Sequence, residues 1–406
     1  MKTYVLAGAS SRALSMYAQP IAQQYQQTAR ILGVYDPNQV RARYVSQESG
    51  GFPVFRDFDK MLEQTQPNGV IVTTVDRYHH TYIIRSLEAG CDVITEKPMT
   101  IDDEKCRAIL AAEKRTGKKV TVTFNYRFMP YVTRIKELIR EGIIGKVLSV
   151  DFEWLLDTSH GADYFRRWHR RMENSGGLFV HKATHHFDMI NWWVEDDPYK
   201  VYAQGALRFY GPTRKERGER CLGCAFRHTC EFYVDYANHP VLKALYFDAE
   251  KEDGYYRDRC VFADEIDIYD TMSANVQYRS GIQLSYSLIA HSPYEGYRAS
   301  INGTNGRMEI EAIESGLRTS SPAFEIKIFN RKGDVITHQV PKAVGGHGGG
   351  DEQLLKRLFS GLDIPDPLGY MADSRAGAMS ILIGVAANQS IQKGTPIFID
   401  HLLENR

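Results

Sequence analysis

Hydrophobic runs in the first third of the chain alternate with segments of helical period. Apolar runs predict buried strands at residues 3–7, 31–35, 69–74, 92–95 and 119–123. Apolar positions with helical spacing predict helices at residues 14–29, 38–47, 78–90 and 102–116. Strands and helices that alternate in this order require parallel crossovers. The pattern therefore predicts an α/β fold with a doubly wound sheet, which we place at residues 1–124.

The pattern changes after residue 124. Alternating apolar and polar positions predict strands at residues 147–156, 200–209, 266–278, 283–290, 297–302, 307–310 and 324–329. Amphipathic segments predict helices at residues 130–141, 184–193, 352–360 and 372–392. Turn signals such as Asn305-Gly306 and Lys332-Gly333 indicate hairpins. We expect a second, α+β domain at residues 125–406 with an open, mostly antiparallel sheet and a C-terminal helix at residues 372–392.

Composition excludes several classes of protein. The chain has 406 residues, of which 43% are hydrophobic and 25% charged, and its formal net charge is zero. A balanced charge without a basic block argues against nucleic acid or an anionic membrane as a partner. No apolar run has the length of a membrane span, and residues 2–8 have the pattern of a strand rather than a signal peptide. We therefore expect a cytoplasmic protein.

A lysine follows the strand at residues 92–95. The turn is Glu96-Lys97-Pro98-Met99. Ligands of open α/β sheets bind just beyond the carboxyl ends of the strands, so Lys97 is placed to meet the reactive end of a cofactor. Taken alone, the motif is better explained by a surface lysine in a strand-to-helix loop.

The turn after the first strand resembles a phosphate-binding turn. A dinucleotide site has the pattern Gly-x-Gly-x-x-Gly because the backbone must approach the pyrophosphate closely. Here Gly8 fills the first position, whereas Ser10 and Ala13 replace the second and third glycines. Ser10 and Ser11 can still donate hydrogen bonds to phosphate, and Arg12 adds a charge. The sequence thus indicates a weakened but correctly placed motif.

An acidic residue ends the second strand. Asp36 can accept hydrogen bonds from the adenosine ribose hydroxyls and would repel a 2′-phosphate, which favours NAD over NADP. Arg12 and Arg41 leave NADP open. A cap of the turn before Pro37 is the alternative role for Asp36.

Several segments together resemble the glucose–fructose oxidoreductase/inositol dehydrogenase (Gfo/Idh/MocA) family. Residues 74–79 are similar to its Thr-Pro-x-x-x-His loop, with Val75 in place of the proline. Residues 87–98 resemble its lysine loop. Residues 125–128 resemble the segment that crosses between its two domains. Residues 175–188 resemble its Gly-Gly-x-x-x-Asp-x-x-x-His-x-x-Asp helix entry. The resemblance covers the chain except residues 211–262.

The resemblance implies a Rossmann domain followed by an α/β domain whose open sheet forms the floor of the substrate site. It implies NAD(P)-dependent hydride transfer at a hydroxyl-bearing carbon of a sugar, glycoside or cyclitol, and a homo-oligomer, a dimer or a tetramer. It also places further cofactor contacts at Thr74, His79, Glu96, Lys97 and Asn125.

The family pattern assigns the catalytic base to His185 and the group that steadies the alkoxide to Lys97. The sequence departs from the pattern at His181, which stands where the family has an aspartate. An imidazole cannot stabilise a neighbouring imidazolium as a carboxylate does. The base therefore stays open between His185, His181 as a relay, and Lys182. Two histidines that merely cap a helix are the structural alternative, and a His-x-x-x-His zinc site lacks a third ligand.

Two stretches are candidates for the substrate pocket. Residues 164–170 combine stacking and hydroxyl-binding groups, from which we select Arg166 and Trp168; a solvated basic loop is the alternative. Residues 345–351 are glycine-rich and present His347, in a segment that resembles one found in sugar-acting family members. Arg127 and Lys182 complete the predicted substrate contacts.

The insert at residues 211–262 contains a cluster of cysteines. Cys221, Cys224, Cys230 and Cys260 are four of the chain's six cysteines. In a cytosolic protein such spacing favours a tetrahedral metal site, so we expect a structural zinc. An iron–sulfur cluster, free thiols and disulfides are the alternatives.

Three functions are compatible with these residues. The first is an NAD(P)-dependent dehydrogenase of a small carbohydrate or polyol. The second is a redox-neutral glycosidase that uses tightly bound NAD, and the third is a non-catalytic NAD-binding sensor. The presence of Lys97 and of both histidines argues against the third.

Overall fold

The computed structural model describes residues 1–316 and 321–404, which form two sheets. The N-terminal sheet contains β1 (Lys2–Ala7), β2 (Ala29–Tyr35), β3 (Val54–Phe55), β4 (Gly69–Val72), β5 (Asp92–Thr95), β6 (Val120–Val122) and β15 (Ala372–Asp373). Their spatial order is β15-β6-β5-β4-β1-β2-β3. The first six strands are parallel, and β15 pairs antiparallel with β6. The predicted doubly wound sheet is confirmed.

Burial on both faces explains the continuous apolar runs of this sheet. All four residues of β4 are buried, as are Val5 to Ala7 of β1. Parallel strands covered by helices on both sides have this composition. The surrounding helices are Ala13–Ala18 (a π-helix), Gln19–Gln23, Gln39–Gln47, Phe58–Thr65, His79–Glu88 and Asp103–Thr116, with a 3₁₀ turn at Asp76–Tyr78.

Side-chain caps define where these helices begin. Asn38, Asp57 and Asp102 each accept a hydrogen bond from the backbone N–H three residues later, as N-cap residues do. The predicted helix at residues 14–29 ends earlier, at Gln23. The helix Phe58–Thr65 and the two-residue strand β3 were not predicted, because β3 is too short to show a period.

The second sheet is larger and mostly antiparallel, as predicted. It contains β7 (Val147–Asp157), β8 (Pro198–Ala206), β9 (Thr271–Tyr278), β10 (Gln283–Ser292), β11 (Glu295–Gly303), β12 (Gly306–Ser315), β13 (Ala323–Asn330), β14 (Val335–Pro341) and β16 (Ile397–Phe398). Their order is β14-β13-β12-β11-β7-β10-β9-β8-β16. The parallel pair is β7 with β10, and the other neighbours are antiparallel.

Helices cover one face of this sheet. The helices of this part are Pro130–Arg140, Thr158–Arg166, Met172–Ser175, Gly177–His181, Ala183–Val194, Gly350–Phe359, Ser374–Lys393 and Ile399–Leu403, with 3₁₀ turns at Asn125–Phe128 and Trp168–Arg170. Phe187 of one helix packs against Tyr286 of β10, with ring centroids 4.7 Å apart. Along β9 and β10 buried and exposed residues alternate, which matches one covered and one exposed face.

The insert between β8 and β9 contains short helical segments at Tyr236–Asn238, Pro240–Leu242, Lys243–Phe247 and Glu250–Asp253. It packs against the N-terminal domain beyond the end of β2. Asn38 Nδ2 donates to the Ala249 carbonyl at 2.9 Å, and Gln39 N donates to Glu252 Oε2 at 2.7 Å. Among residues 1–316 and 321–404, no helix combines the length and apolarity needed to cross a membrane.

Candidate active site

A cleft of about 530 Å³ lies beyond the carboxyl ends of β1, β4 and β5. Both domains and the insert contribute to its walls. Of the residues predicted from the sequence, those that line it are Ser10, Ser11, Arg12, Asp36, Thr74, His79, Glu96, Lys97, Asn125, Trp168, His181 and His347. The structure therefore brings most of the predicted site together at one sheet edge.

The turn after β1 depends on Gly8. Its φ is +101°, and a Cβ at this position would lie 2.8 Å from the backbone of Thr73 and Thr74. Only glycine lets the turn approach the end of β4 this closely. Ser10 Oγ accepts a hydrogen bond from Ala13 N at 3.2 Å, which anchors the start of the next helix. The serine at the second glycine position thus preserves the turn.

Arg12 lines the cleft, but its charge is neutralised within the protein. Its Nε lies 2.8 Å from Glu96 Oε1, and its Nη1 lies 3.3 Å from Asp351 Oδ2. Burial lowers the pKa of Arg12, and the two carboxylates raise it well above its usual range. Asp351 also accepts a hydrogen bond from Asn125 Nδ2 at 2.6 Å and contacts His347 Nδ1 at 3.1 Å. Arg12 therefore ties the phosphate turn to the Lys97 loop.

Asp36 is buried at the end of β2. Its Oδ2 accepts from Ala9 N at 2.8 Å, and its Oδ1 accepts from Asn38 N at 2.7 Å. The Arg41 guanidinium lies 3.7 Å from Asp36 and also pairs with Asp253 of the insert. Burial raises the pKa of Asp36, while Arg41 and the two backbone donors oppose the rise. Two carboxylates thus hold Arg41 at this end of the cleft.

The Lys97 turn is fixed by His79. The His79 ring contacts the Pro98 carbonyl at 2.8 Å through Nδ1 and the Thr74 carbonyl at 3.0 Å through Nε2. The Lys97–Pro98 peptide is cis. Lys97 Nζ donates to the His181 carbonyl at 3.4 Å. Burial lowers the pKa of Lys97 to about 8, and the charge of Asp76 limits the drop.

His181 pairs with a carboxylate from a different loop. Its Nδ1 lies 2.5 Å from Oδ2 of Asp76, which follows β4, and both residues are buried. Among the described residues, His181 Nε2 makes no hydrogen bond. Burial, together with Lys97 and Arg167, lowers the pKa of His181 well below its usual value, so the imidazole is neutral near pH 7. The carboxylate that the sequence motif lacks is therefore supplied by Asp76.

His185 and Lys182 lie behind the wall of the cleft. The His185 ring stacks on Tyr126 with centroids 4.3 Å apart, and its buried Nδ1 has no hydrogen-bond partner within the part of the chain that the structure describes. Lys182 Nζ lies 3.5 Å from Glu295 and 3.4 Å from the Tyr126 hydroxyl. Of the three candidate bases, His181 is the residue that lines the cleft.

Besides Lys182, two predicted substrate contacts lie outside the cleft. Arg127 donates to both oxygens of Asp188, at 2.8 and 2.5 Å, in a buried ion pair. Arg166 is buried and donates to the Phe232 carbonyl at 2.7 Å. Each guanidinium is already partnered by the protein, so the structure does not support their predicted role as substrate ligands. Motif spacing shows that an arginine is present but not which way it points.

The cysteines of the insert do not form the predicted metal site. Within residues 1–316 and 321–404, no group of three or more His, Cys, Asp or Glu side chains is arranged to hold a metal ion. The insert cysteines are free thiols, and the Cys221 thiol accepts a hydrogen bond from Arg166 at 3.2 Å. Burial raises the pKa of the Cys221 thiol. The expected structural zinc is therefore not supported.

Several residues of the cleft were not predicted from the sequence as site residues. They are Asp76, Tyr164, Arg167, His169 and, from the insert, Tyr246, Asp253, Tyr255 and Arg257. Asp351 does not line the cleft but accepts a hydrogen bond from Asn125, which does. Asp76, Tyr164, Arg167, His169 and Asp351 lie inside the motifs and stretches already identified in the sequence. The insert residues carry no motif, and no sequence pattern indicates that the insert reaches the cleft.

The fold and the cleft together define a dinucleotide-binding oxidoreductase. The binding half of the cleft is the part that would hold the dinucleotide. It consists of a Rossmann sheet, a turn that requires Gly8 and an acidic residue at the end of β2. Comparisons with known families agree: residues 2–124 match the oxidoreductase family, NAD-binding Rossmann fold, and residues 136–399 match the C-terminal alpha/beta domain of the same family. The chain belongs to the Gfo/Idh/MocA oxidoreductase family and is an NAD(P)-dependent dehydrogenase.

Individual relatives support the same assignment. The chain is 41% identical over 426 residues to YteT of Bacillus subtilis (strain 168), covering 100% of this chain and 99% of YteT. It is 29% identical over 179 residues to inositol 2-dehydrogenase of Rhizobium meliloti (strain 1021), covering 44% of this chain and 52% of that protein. The WlbA dehydrogenase of Bordetella pertussis shares the fold, with a TM-score of 0.66, 18% identity and coverage of 97% and 98%.

Proposed function

We propose that the chain is an NAD-dependent dehydrogenase that oxidises a hydroxyl-bearing carbon of a sugar, glycoside or cyclitol. The observation that carries this proposal is the 2.5 Å pair of His181 and Asp76 in a cleft that Lys97 also lines. These three side chains supply a base, its orienting carboxylate and a cation, which are the groups that alcohol oxidation needs. The inositol 2-dehydrogenase relative supports a polyol substrate.

The binding half of the cleft fits NAD better than NADP. Gly8 leaves room for the close approach of a pyrophosphate, and Asp36 lies where the adenosine ribose hydroxyls would bind. Asp253 adds a second carboxylate nearby, and Arg41 is engaged by both. A 2′-phosphate would meet two negative charges and no free cation from Arg41. When bound, NAD⁺ supplies the acceptor for the hydride of the substrate carbon.

His181 is our candidate for the base that takes the hydroxyl proton. Its lowered pKa keeps the imidazole neutral, and its Nδ1 faces Asp76, which leaves Nε2 for the substrate. Asp76 faces Nδ1 and so holds the tautomer that leaves Nε2 free, and in its ionised form it stabilises the imidazolium that forms. Burial raises the pKa of Asp76, and the charges of Lys97 and Arg167 oppose this rise. His185, the base assigned by the family pattern, is stacked behind Tyr126.

Lys97 is our candidate for the group that steadies the reacting oxygen. With a pKa of about 8, it is mostly a cation at pH 7. A cation in a buried cleft stabilises a developing alkoxide more strongly than it would in water. His79 holds the lysine turn against the Thr74 loop and so fixes the position of the ammonium group.

Trp168 and His347 complete the proposed substrate end. Trp168 lies edge-on to the His181 ring, with centroids 5.8 Å apart, and can cover the apolar face of a sugar ring. His347 has a positive φ of 46° and contacts Asp351, so the glycine-rich loop presents its ring to the cleft. The homo-oligomer expected from the family stays a prediction.

A direct assay tests the proposed function. Purified protein is incubated with NAD⁺ and a panel that includes myo-inositol, free hexoses and methyl glycosides, and NADH is followed at 340 nm. We expect NADH with at least one polyol. The absence of NADH across the panel, in a sample that binds NAD⁺, would contradict the proposal. Cleavage of a glycoside without added NAD⁺ and without net NADH would favour the redox-neutral glycosidase instead.

A further inference from the structure

The insert carries an arginine into the cleft. Arg257 lines the cleft and is 7% exposed. Its Nε and Nη1 are buried and have no hydrogen-bond partner among residues 1–316 and 321–404. Guanidinium nitrogens that are buried without a hydrogen-bond partner are costly unless a ligand completes their hydrogen bonds. Its neighbours therefore indicate what kind of ligand that would be.

Arg257 lies beside the phosphate turn. Its guanidinium carbon is 4.4 Å from the ring centroid of Tyr246. The Tyr246 hydroxyl accepts a hydrogen bond from Ser11 N at 3.1 Å and lies 3.2 Å from Ser11 Oγ. Burial would raise the pKa of Tyr246, but the charges of Arg257 and Arg167 lower it below its usual value. The field at this point of the cleft is positive.

Arg167 is a second cation close to Arg257. Its Nη1 donates to Asp163 Oδ2 at 2.7 Å, while its buried Nε has no hydrogen-bond partner in the described part of the chain. Arg257 Nη2 lies 3.9 Å from the same Asp163 carboxylate. Two guanidinium groups thus share one carboxylate, which leaves a surplus positive charge facing the cleft.

The phosphate turn has its own cation, Arg12, but this charge is not available to a ligand. Arg12 is neutralised by Glu96 and Asp351, at 2.8 and 3.3 Å. We infer that Arg257 and Arg167 form an anion-binding subsite, which takes the oxygens of a phosphate or carboxylate group through charge-assisted hydrogen bonds. This inference rests on the proposed function, since the cleft must hold a dinucleotide and a substrate.

Two sources could supply the anion. One is the pyrophosphate of NAD, which Tyr246 and Ser11 would place beside Arg257. The other is an acidic group on the substrate, because Arg167 lines the same cleft as Asp76 and His181. Its charge opposes the rise that burial causes in the pKa of Asp76 and contributes to the lowered pKa of His181. The chemistry is the same in both cases, and binding measurements distinguish them.

The experiment compares Arg257→Gln with Arg257→Lys, which keeps the charge but not the planar fork. Arg227→Gln is the matched control, because Arg227 is an exposed arginine of the same insert. NAD⁺ binding is titrated by calorimetry at low and high salt, and thermal unfolding verifies that each variant is folded. Loss of one charge-assisted contact is expected to weaken binding about 10- to 100-fold. The Arg257→Lys variant should lose less affinity for NAD⁺, and the Arg227→Gln control should lose none.

The outcomes separate the two sources. Weaker binding of NAD⁺ by Arg257→Gln, with a smaller salt dependence, identifies the cofactor pyrophosphate. Unchanged NAD⁺ binding with weakened binding of D-glucuronate, but not of myo-inositol, identifies an acidic substrate. Equal affinities of the wild type and a folded Arg257→Gln variant for all three compounds would overturn the inference.

A separate measurement distinguishes failure of the anion-binding subsite from failure of the proposed function. If the wild-type protein binds neither NAD⁺ nor a polyol, the proposed function fails, and inorganic pyrophosphate becomes the probe. The subsite then predicts that pyrophosphate raises the unfolding temperature of the wild type and of Arg227→Gln but not that of Arg257→Gln. An equal rise in all three proteins would refute the subsite.

Discussion

Replacement of Asp76 by asparagine tests the role of the His181–Asp76 pair. The substitution keeps the size of the side chain but removes the negative charge that faces Nδ1 at 2.5 Å. The amide can also turn its NH₂ toward Nδ1, which would place the ring proton on Nε2. His181 could then no longer accept a proton from the substrate.

The expected loss of activity follows from the energy of this contact. A hydrogen bond to a charged group contributes about 1.5–3 kcal/mol. At about 1.4 kcal/mol per factor of ten, its loss in the transition state lowers kcat about 10- to 150-fold. The wrong tautomer adds to this figure, since general base catalysis contributes about 10²- to 10⁴-fold. We therefore expect a fall in kcat of about 10²- to 10³-fold, with NAD⁺ binding almost unchanged.

The assay follows NADH at 340 nm with saturating NAD⁺ and the polyol that the wild type oxidises fastest. Asp59→Asn is the matched control, because Asp59 is a surface residue that pairs with Arg85. Removing Asp76 also removes a charge that supports the Lys97 ammonium, so the pKa of Lys97 should fall below about 8. A folded Asp76→Asn variant with kcat within twofold of the wild type would show that Asp76 does not support His181 in catalysis.

Three further predictions concern pH, stability and metal. Because the Lys97 cation is lost above its pKa of about 8, kcat/KM for polyol oxidation should fall about tenfold per pH unit above that value. The pH profile of Lys97→Met should lack this alkaline fall, and the same fall in the variant would contradict the role of Lys97. Arg127→Met leaves Asp188 buried without its partner, so urea denaturation should show a loss of about 3–5 kcal/mol in the free energy of unfolding. Incubation with EDTA should leave the unfolding temperature unchanged, because the insert thiols form no metal site in the described structure; a fall of several degrees would revive the zinc hypothesis.

The sequence was sufficient for the fold and for the residues that are tied to strand ends. Lys97 and Asp36 follow β5 and β2 directly, and parallel topology places all such positions at one edge of the sheet. Period and turn signals therefore predict where these side chains lie. The predicted lysine, acidic residue and phosphate turn all line the cleft.

The sequence was insufficient where the partner of a side chain is distant along the chain. His181 and Asp76 are separated by 105 positions along the chain. The helix motif, which has His181 in place of an aspartate, therefore does not indicate that another loop supplies the carboxylate. Arg127 and Arg166 were predicted to bind substrate, whereas Asp188 and the Phe232 carbonyl engage them inside the protein. Such pairings depend on tertiary packing, which residue types and spacing do not encode locally.

The most direct test of the account compares His181→Asn with His185→Asn. Both variants are assayed for NADH formation from the polyol that the wild type oxidises, and NAD⁺ binding is measured on the same samples. We expect His181→Asn to lower kcat at least 10²-fold and His185→Asn to retain most of the activity. Wild-type activity in His181→Asn, together with an inactive but NAD-binding His185→Asn, would contradict it.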